Sequence, residues 1–238
     1  MRTLLVAVLL IGLWQFLVSI TNVPAFILPG PLSVMRATYE NAPLLGLHAW
    51  YTAVEIVLGL LLGALLGIFC AIGMSMSEYV TRGLRPLLSF SQAIPVFALA
   101  PILTLWIGYG MASKIVVVVL IVFFPIASAF YDGLLATPEG VLDLARLAHA
   151  QRWPTFLWLR LPHALPSLGA SLRIAAVYAP IGAVTGEWVG ASHGLGYLML
   201  LANGRMKTNL MFASVCILTL LTIALRSLVG WGLKKIEI

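Results

Sequence analysis

A chain of 238 residues that is 61% hydrophobic and only 9% charged, with a mean hydropathy of +1.05, cannot cover itself with a water-facing surface, and an ordinary soluble fold is excluded. Its net charge of +6 comes from 14 basic residues scattered between apolar segments, which argues for orientation in a membrane and against a nucleic-acid partner. The two cysteines, Cys70 and Cys216, lie deep in apolar runs and read as small hydrophobes rather than disulfide partners or metal ligands.

A helix needs about 20 mostly apolar residues to cross the hydrocarbon, and six stretches approach that length. The first, Thr3–Ile20, follows Arg2 and has the look of a secretory signal. Its apolar run is long and continues into Asn22-Val23-Pro24 without a small-residue cleavage site, so an uncleaved first helix is expected. The second, Trp50–Met74, carries Glu55 and a ridge of Gly59, Gly63 and Gly67 at four-residue spacing, suited to close helix packing. Leu87–Ile107 and Lys114–Tyr131 follow, with Pro95, Pro101 and Pro125 inside or near them as points where a helix bends. Gly169–Val189 holds Arg173, Pro180, Gly182, Gly186 and Glu187, and Leu210–Trp231 closes the set.

With the N-terminus inside, Arg2, Arg82, Arg85, Arg146, Arg152, Arg160, Arg173, Arg226, Lys234 and Lys235 fall on the cytoplasmic side. Arg36, Lys114, Arg205 and Lys207 fall on the other. The asymmetry follows the positive-inside rule and predicts an even number of spans with both termini cytoplasmic. The reading is therefore an all-α membrane protein, one polytopic domain over residues 1–238 with about six transmembrane helices.

Between the fourth and fifth spans lies a long stretch, residues 132–168, with a pattern of its own. Thr137-Pro138-Glu139 can open a helix, Thr as N-cap, Pro at the first helical position and an acid near the positive end of the dipole. Leu142, Ala145, Leu147 and Ala148 give it apolar positions near helical spacing, while Arg146 and Arg152 stay available to water or an acidic partner. A second short helical pattern, Thr155 to Leu161, is expected to stop at Pro162 and Pro166. From periodicity alone the stretch either lies on the lipid headgroups or projects to meet a partner.

The residues themselves carry a resemblance. Asp143-Leu144-Ala145, then His149, then Leu159-Arg160-Leu161-Pro162 follow the register of the EAA motif of bacterial ABC importer permeases: Glu-Ala-Ala, three residues, Gly, nine residues, Ile, one residue, Leu-Pro. The segments 186–192 and 194–197, Gly-Glu-Trp-Val-Gly-Ala-Ser and Gly-Leu-Gly-Tyr, and Ile27-Leu28-Pro29-Gly30-Pro31 near the start are similar to the branch with sulfonate, nitrate, taurine and thiamine-precursor permeases. Two positions depart from the motif. Asp143 shortens the acidic stem, and His149 replaces the glycine of the bend, a place that needs the left-handed region.

The resemblance implies that a short cytoplasmic coupling helix around Asp143, Leu144, Ala145, Arg146 and His149, with Leu159, Leu161 and Pro162 beyond it, docks on a separate ABC ATPase subunit and transmits its closure. ATP and Mg then belong to that partner, and this chain carries no cofactor or metal of its own; it has no Gly-x-x-x-x-Gly-Lys-Ser/Thr loop. It further implies an extracytoplasmic substrate-binding protein, a permease homodimer, and residence in the bacterial inner membrane. The run 179–188, with Tyr197-Leu198-Met199 and Asn203-Gly204-Arg205-Met206, looks most like permeases for hydroxymethylpyrimidine, a thiamine precursor; a sulfonate, nitrate or similar solute is the alternative.

Glu55, Arg173 and Glu187 are the candidate pathway or gating groups, because ionisable residues in spans face a bundle interior, a cavity or an interface. Arg173 could instead snorkel to the headgroups, and Glu187 could lie at the far surface of a span that ends early. An intramembrane enzyme is disfavoured by dispersed histidines (His48, His149, His163, His193), unpaired carboxylates and the lack of a Gly-x-Ser-x-Gly turn. A passive channel has no use for a coupling loop.

Overall fold

In hydrocarbon every backbone N–H and C=O must be satisfied within the protein, and a chain this apolar resolves the demand with helices. The structure, a computed structural model, describes residues 2–21 and 23–235; Met1, Asn22 and residues 236–238 lie outside them. In chain order the helices are α1 (Arg2–Thr21), α2 (Pro31–Glu40), α3 (Ala42–Met76), α4 (Glu78–Ala93), α5 (Val96–Ile107), α6 (Met111–Leu135), α7 (Glu139–Leu147), α8 (Arg152–Thr155), α9 (Leu161–Glu187), α10 (Leu195–Gly204) and α11 (Thr208–Lys235).

Among the described residues four continuous helical stretches are long and apolar enough to cross a membrane: α3, α6, the run Arg152–Glu187 that ends in α9, and α11. The six expected spans map onto these together with α1 and the α4–α5 pair. That pair corrects the reading of Leu87–Ile107 as one continuous span. Ile94 and Pro95 are extended, with ψ of 119° and 113°, and break the helix between α4 and α5. Proline lacks the N–H and disfavours the helical region for the residue before it. Two ten-residue helices, α2 and α10, escaped the hydropathy reading because they are too short to span.

At its centre the bundle is a three-helix sandwich with α6 in the middle. On one side Gly59, Gly63 and Gly67 of α3 face Val118, Val122 and Ile126 of α6, and a Cβ on any of the three would collide with or press against those side chains. On the other side Gly182 of α9 sits against the Cα of Val118, and Gly186 against the Cα of Lys114, so Val118 is held between glycines of two helices. Gly182 and Gly186 thus let backbones approach, and α9 runs unbroken through Pro180. A second apolar cluster joins Val34 of α2 and Leu45 of α3 to Leu195, Leu198, Met199 and Ala202 of α10 and Leu210 and Ala213 of α11.

The outer flanks of α3 and α11 are apolar: Leu61, Leu65, Leu66 and Phe69 of α3 and Leu220, Ile223 and Leu228 of α11 are all exposed, as lipid-facing side chains should be. Overpacking a helix interface costs about 1–3 kcal/mol. Gly63→Ala should therefore lower the unfolding temperature of the detergent-solubilised protein. Gly46→Ala, at a position whose Cβ would meet nothing within 4 Å, should leave it unchanged or raised. Equal melting of parent and Gly63→Ala would contradict the sandwich.

Candidate functional site

The two ends of α9 carry the two features of interest. At its start the chain makes a projecting helical hairpin. α6 ends at Leu135, and the Thr137 hydroxyl bonds back to the Leu134 carbonyl at 3.3 Å. Thr137 is thereby buried in the end of α6 and does not cap α7; Pro138 stands at the N-cap and Glu139 opens the helix.

None of the α7 residues is buried, and Leu144 and Leu147 are 67% and 78% exposed. Asp143 and Arg146 form a surface ion pair at 2.7 Å across one turn, a contact worth little by itself. The helix then stops in a Schellman motif. The Ala150 N–H bonds to the Ala145 carbonyl at 2.9 Å and the His149 N–H to the Arg146 carbonyl at 3.0 Å, with His149 at φ 50°. His149 therefore occupies the left-handed position where the motif has glycine.

Beyond the bend the helix does not stop at Pro162 or Pro166. Arg152–Thr155 leads into a π-helical turn, Phe156–Arg160, whose wider pattern is seen in the Leu161 N–H reaching the Phe156 carbonyl, and the chain passes directly into α9. The turn absorbs the hydrogen bond that Pro162 cannot donate, so the prolines shape the helix without ending it. Leu161 packs on the main core, Leu159 is half-buried, Pro162 is exposed, and Arg160 reaches back to the Ser75 carbonyl at the end of α3 at 3.4 Å.

At the far end of α9 lies a buried polar knot. Glu187 is 1% exposed and its carboxylate takes the first turn of α10 as a cap: Oε2 accepts the Gly196 N–H at 2.5 Å, and Oε1 accepts the Thr52 hydroxyl at 2.6 Å. Thr52 Oγ1 in turn accepts the Leu195 N–H at 2.8 Å, and His48 Nδ1 accepts the Gly194 N–H at 3.0 Å. Three orphan donors of α10 are thus met by side chains of α3 and α9, where a carboxylate also suits the positive end of the dipole. Since Nδ1 is an acceptor, neutral His48 carries its proton on Nε2. Gly194, at φ 111°, and Gly196 make room; a Cβ on either would run into the Glu187 carboxylate.

Glu55 and Lys114 complete the knot, both buried beside Glu187. Lys114 is 2% exposed and donates to the Tyr109 carbonyl at 2.8 Å and to Ser113 Oγ at 3.3 Å. It is an interior cation and not the exterior loop charge that the span boundary suggested. The carboxylates that look unpaired along the chain are neighbours in space, and Glu55 Oε2 is buried without a hydrogen-bond partner among the described groups. His193, stacked on Tyr51 at 4.5 Å between ring centroids and 6.0 Å from His48, covers the knot. Among the described residues no group of three or more His, Cys, Asp or Glu is placed to hold a metal.

Arg173 stands apart from Glu55 and Glu187, in a groove with Arg226 and Lys234. Thr52, His48 and Lys114 were missed by sequence reasoning: Thr and His give no signal inside an apolar run, and Lys114 sits at the edge of one.

The family model for the binding-protein-dependent transport system inner membrane component matches residues 63–237. The chain belongs to that family. It is therefore a multi-pass inner-membrane permease subunit of an ABC importer, a transport component rather than an enzyme. Among its relatives, a probable ABC transporter permease protein of Haemophilus influenzae is 47% identical over 99% of this chain and 96% of the relative. The formylaminopyrimidine transport permease protein ThiX of Halalkalibacterium halodurans is 39% identical over 96% of this chain and 90% of its own. In fold, the permease is similar to a chain of the inward-facing MetNI methionine ABC transporter, with a TM-score of 0.68 at 20% identity, covering 79% of this chain and 94% of that one.

In this permease the knot is a fastening between α3, α9 and α10. Glu187→Ala leaves the Gly196 N–H without its acceptor in a site closed to water, a loss of about 1–3 kcal/mol. Amide hydrogen exchange at 194–196 should rise sharply in Glu187→Ala and Thr52→Val, and only slightly in Thr52→Ser, which keeps the bridging hydroxyl. Unchanged protection in Thr52→Val would show that the cap does not hold α10.

Proposed function

We propose that this permease forms, with a second copy of itself, the pathway of an ATP-driven importer, and that α7 docks in a groove on a separate ABC ATPase subunit that binds ATP and Mg. The observation that carries the reading is a projecting helix with Leu144 and Leu147 uncovered, closed by a left-handed bend and joined through the π turn to α9. An exposed leucine pair on a helix that stands clear of the bundle suits a hydrophobic groove. Coupling residues on this reading are Asp143, Leu144, Ala145, Arg146, His149, Leu159, Leu161 and Pro162, within the stretch 132–168.

The hairpin lies in the cytoplasm, as do both termini, in keeping with the charge asymmetry. The run from Arg152 to Glu187 is 36 residues, about 50 Å at 1.5 Å per residue. Movement of α7 by ATPase closure is carried along this rod to the Glu187 knot on the extracytoplasmic side, where a binding protein delivers solute. Glu187 and Glu55 act there as gating groups by fastening or releasing α10, while Arg173 lies off this route.

The solute is a pyrimidine of the thiamine-precursor type. Support comes from the 39% identity to a formylaminopyrimidine permease, against 30% and 25% to relatives named for aliphatic sulfonates and nitrate. In cells, tagged parent protein should co-purify with an ATPase subunit and support uptake of labelled hydroxymethylpyrimidine. Asp143→Arg with His149→Pro should insert normally yet lose both. Recovery of the ATPase by the double variant would remove the docking role, and uptake of a sulfonate instead of the pyrimidine would correct the substrate.

A further inference from the structure

A basic groove lies on the flank of the bundle, between α9 and α11. Arg173 of α9 and Arg226, Ser227, Gly230, Trp231 and Lys234 of α11 line an open groove of about 370 Å³, with three cationic side chains and no carboxylate among these residues. Arg226, Gly230 and Lys234 share one face of α11 at four-residue spacing, and Gly230, whose Cβ would meet nothing within 4 Å, leaves the groove its room. Trp231 is 67% exposed, with the Lys235 ammonium 5.6 Å from its ring centroid.

The depth of the groove is fixed by the charge pattern. From Arg173 the helix α9 is uncharged through residues 174–186, and α11 is uncharged through 210–225 until Arg226. Arg173 and Arg226 are thus the first charges met along the two helices from the Glu187 end, and the groove lies toward the side of the bundle that carries α7. One turn from Arg173 and Arg226 toward the Glu187 end, Val177 and Ile223 are exposed on the same helix faces. A cationic pocket under an apolar flank, beside an exposed tryptophan, matches an amphiphile with an anionic head and acyl tails. We propose that this groove binds the phosphate headgroup of an anionic phospholipid of the cytoplasmic leaflet, its tails lying along α9 and α11. A small free anion would share the phosphate chemistry but has no use for the apolar flank.

The test is native mass spectrometry of the delipidated full chain, incubated with phosphatidylglycerol, phosphatidylcholine or inorganic phosphate. The parent should retain phosphatidylglycerol over phosphatidylcholine, and Arg226→Gln with Lys234→Gln should lose about fivefold in retention for each cation removed. Arg226→Lys with Lys234→Arg, which keeps the charge, should retain the lipid and shows that the surface changes leave the fold intact. Equal retention of the two lipids, or unchanged retention by the neutral variant, would overturn the proposal. Displacement of phosphatidylglycerol by inorganic phosphate at equal concentration would also overturn it, in favour of a small-anion site.

Discussion

Val118 is clamped between Gly59 of α3 and Gly182 of α9, and the rest of the bundle depends on that contact. In lipid there is no hydrophobic force to push helices together, since the tails are as apolar as leucine. Close backbone approach and the dispersion contacts it permits must do so instead. The glycine ridges at 59, 63 and 67 and at 182 and 186 bring both outer helices onto α6, and by setting their register they also bring Thr52, Glu55, Lys114 and Glu187 to the same level. The buried polar knot is a consequence of the glycine packing.

That knot explains why a chain with few charges keeps several in its interior. An uncompensated carboxylate or ammonium in such a place would be prohibitive. Here Glu187 takes a backbone N–H and a hydroxyl, Lys114 takes a carbonyl and a hydroxyl, and Glu55 lies beside them with one oxygen unpartnered among the described groups. The same groups fasten a short helix, α10, that could not close its own N-terminus. The gating proposed for this cluster is compatible with fastening, because a connection built from a few hydrogen bonds can be broken and remade.

Much of this was legible in the chain. Hydropathy located the long spanning helices, the spacing of Gly59, Gly63 and Gly67 announced a packing ridge, and the motif register placed His149 at a left-handed bend, where the structure has it at φ 50°. What escaped notice is tertiary or depends on cooperation between neighbouring turns. Glu55 and Glu187 are 132 positions apart, and no local pattern reveals that they meet. Lys114 sits at the margin of an apolar run, where hydropathy cannot tell a buried cation from a loop charge. Pro162 and Pro166 look like stops because a proline ends an isolated helix, but a π turn and a packed flank carry the helix past them. Pro95, with the same local chemistry and no such support, does break its helix.

The central claim is that α7 is the contact surface for an ATPase, and site-specific photo-crosslinking in native membranes addresses it directly. A photoreactive residue at Leu147 should yield a covalent adduct with an ATPase subunit, while the same residue at Leu220, on the lipid-facing flank of α11, should not. Adducts from Leu147 with lipid alone would show that the hairpin lies on the membrane surface, and the coupling account would fail.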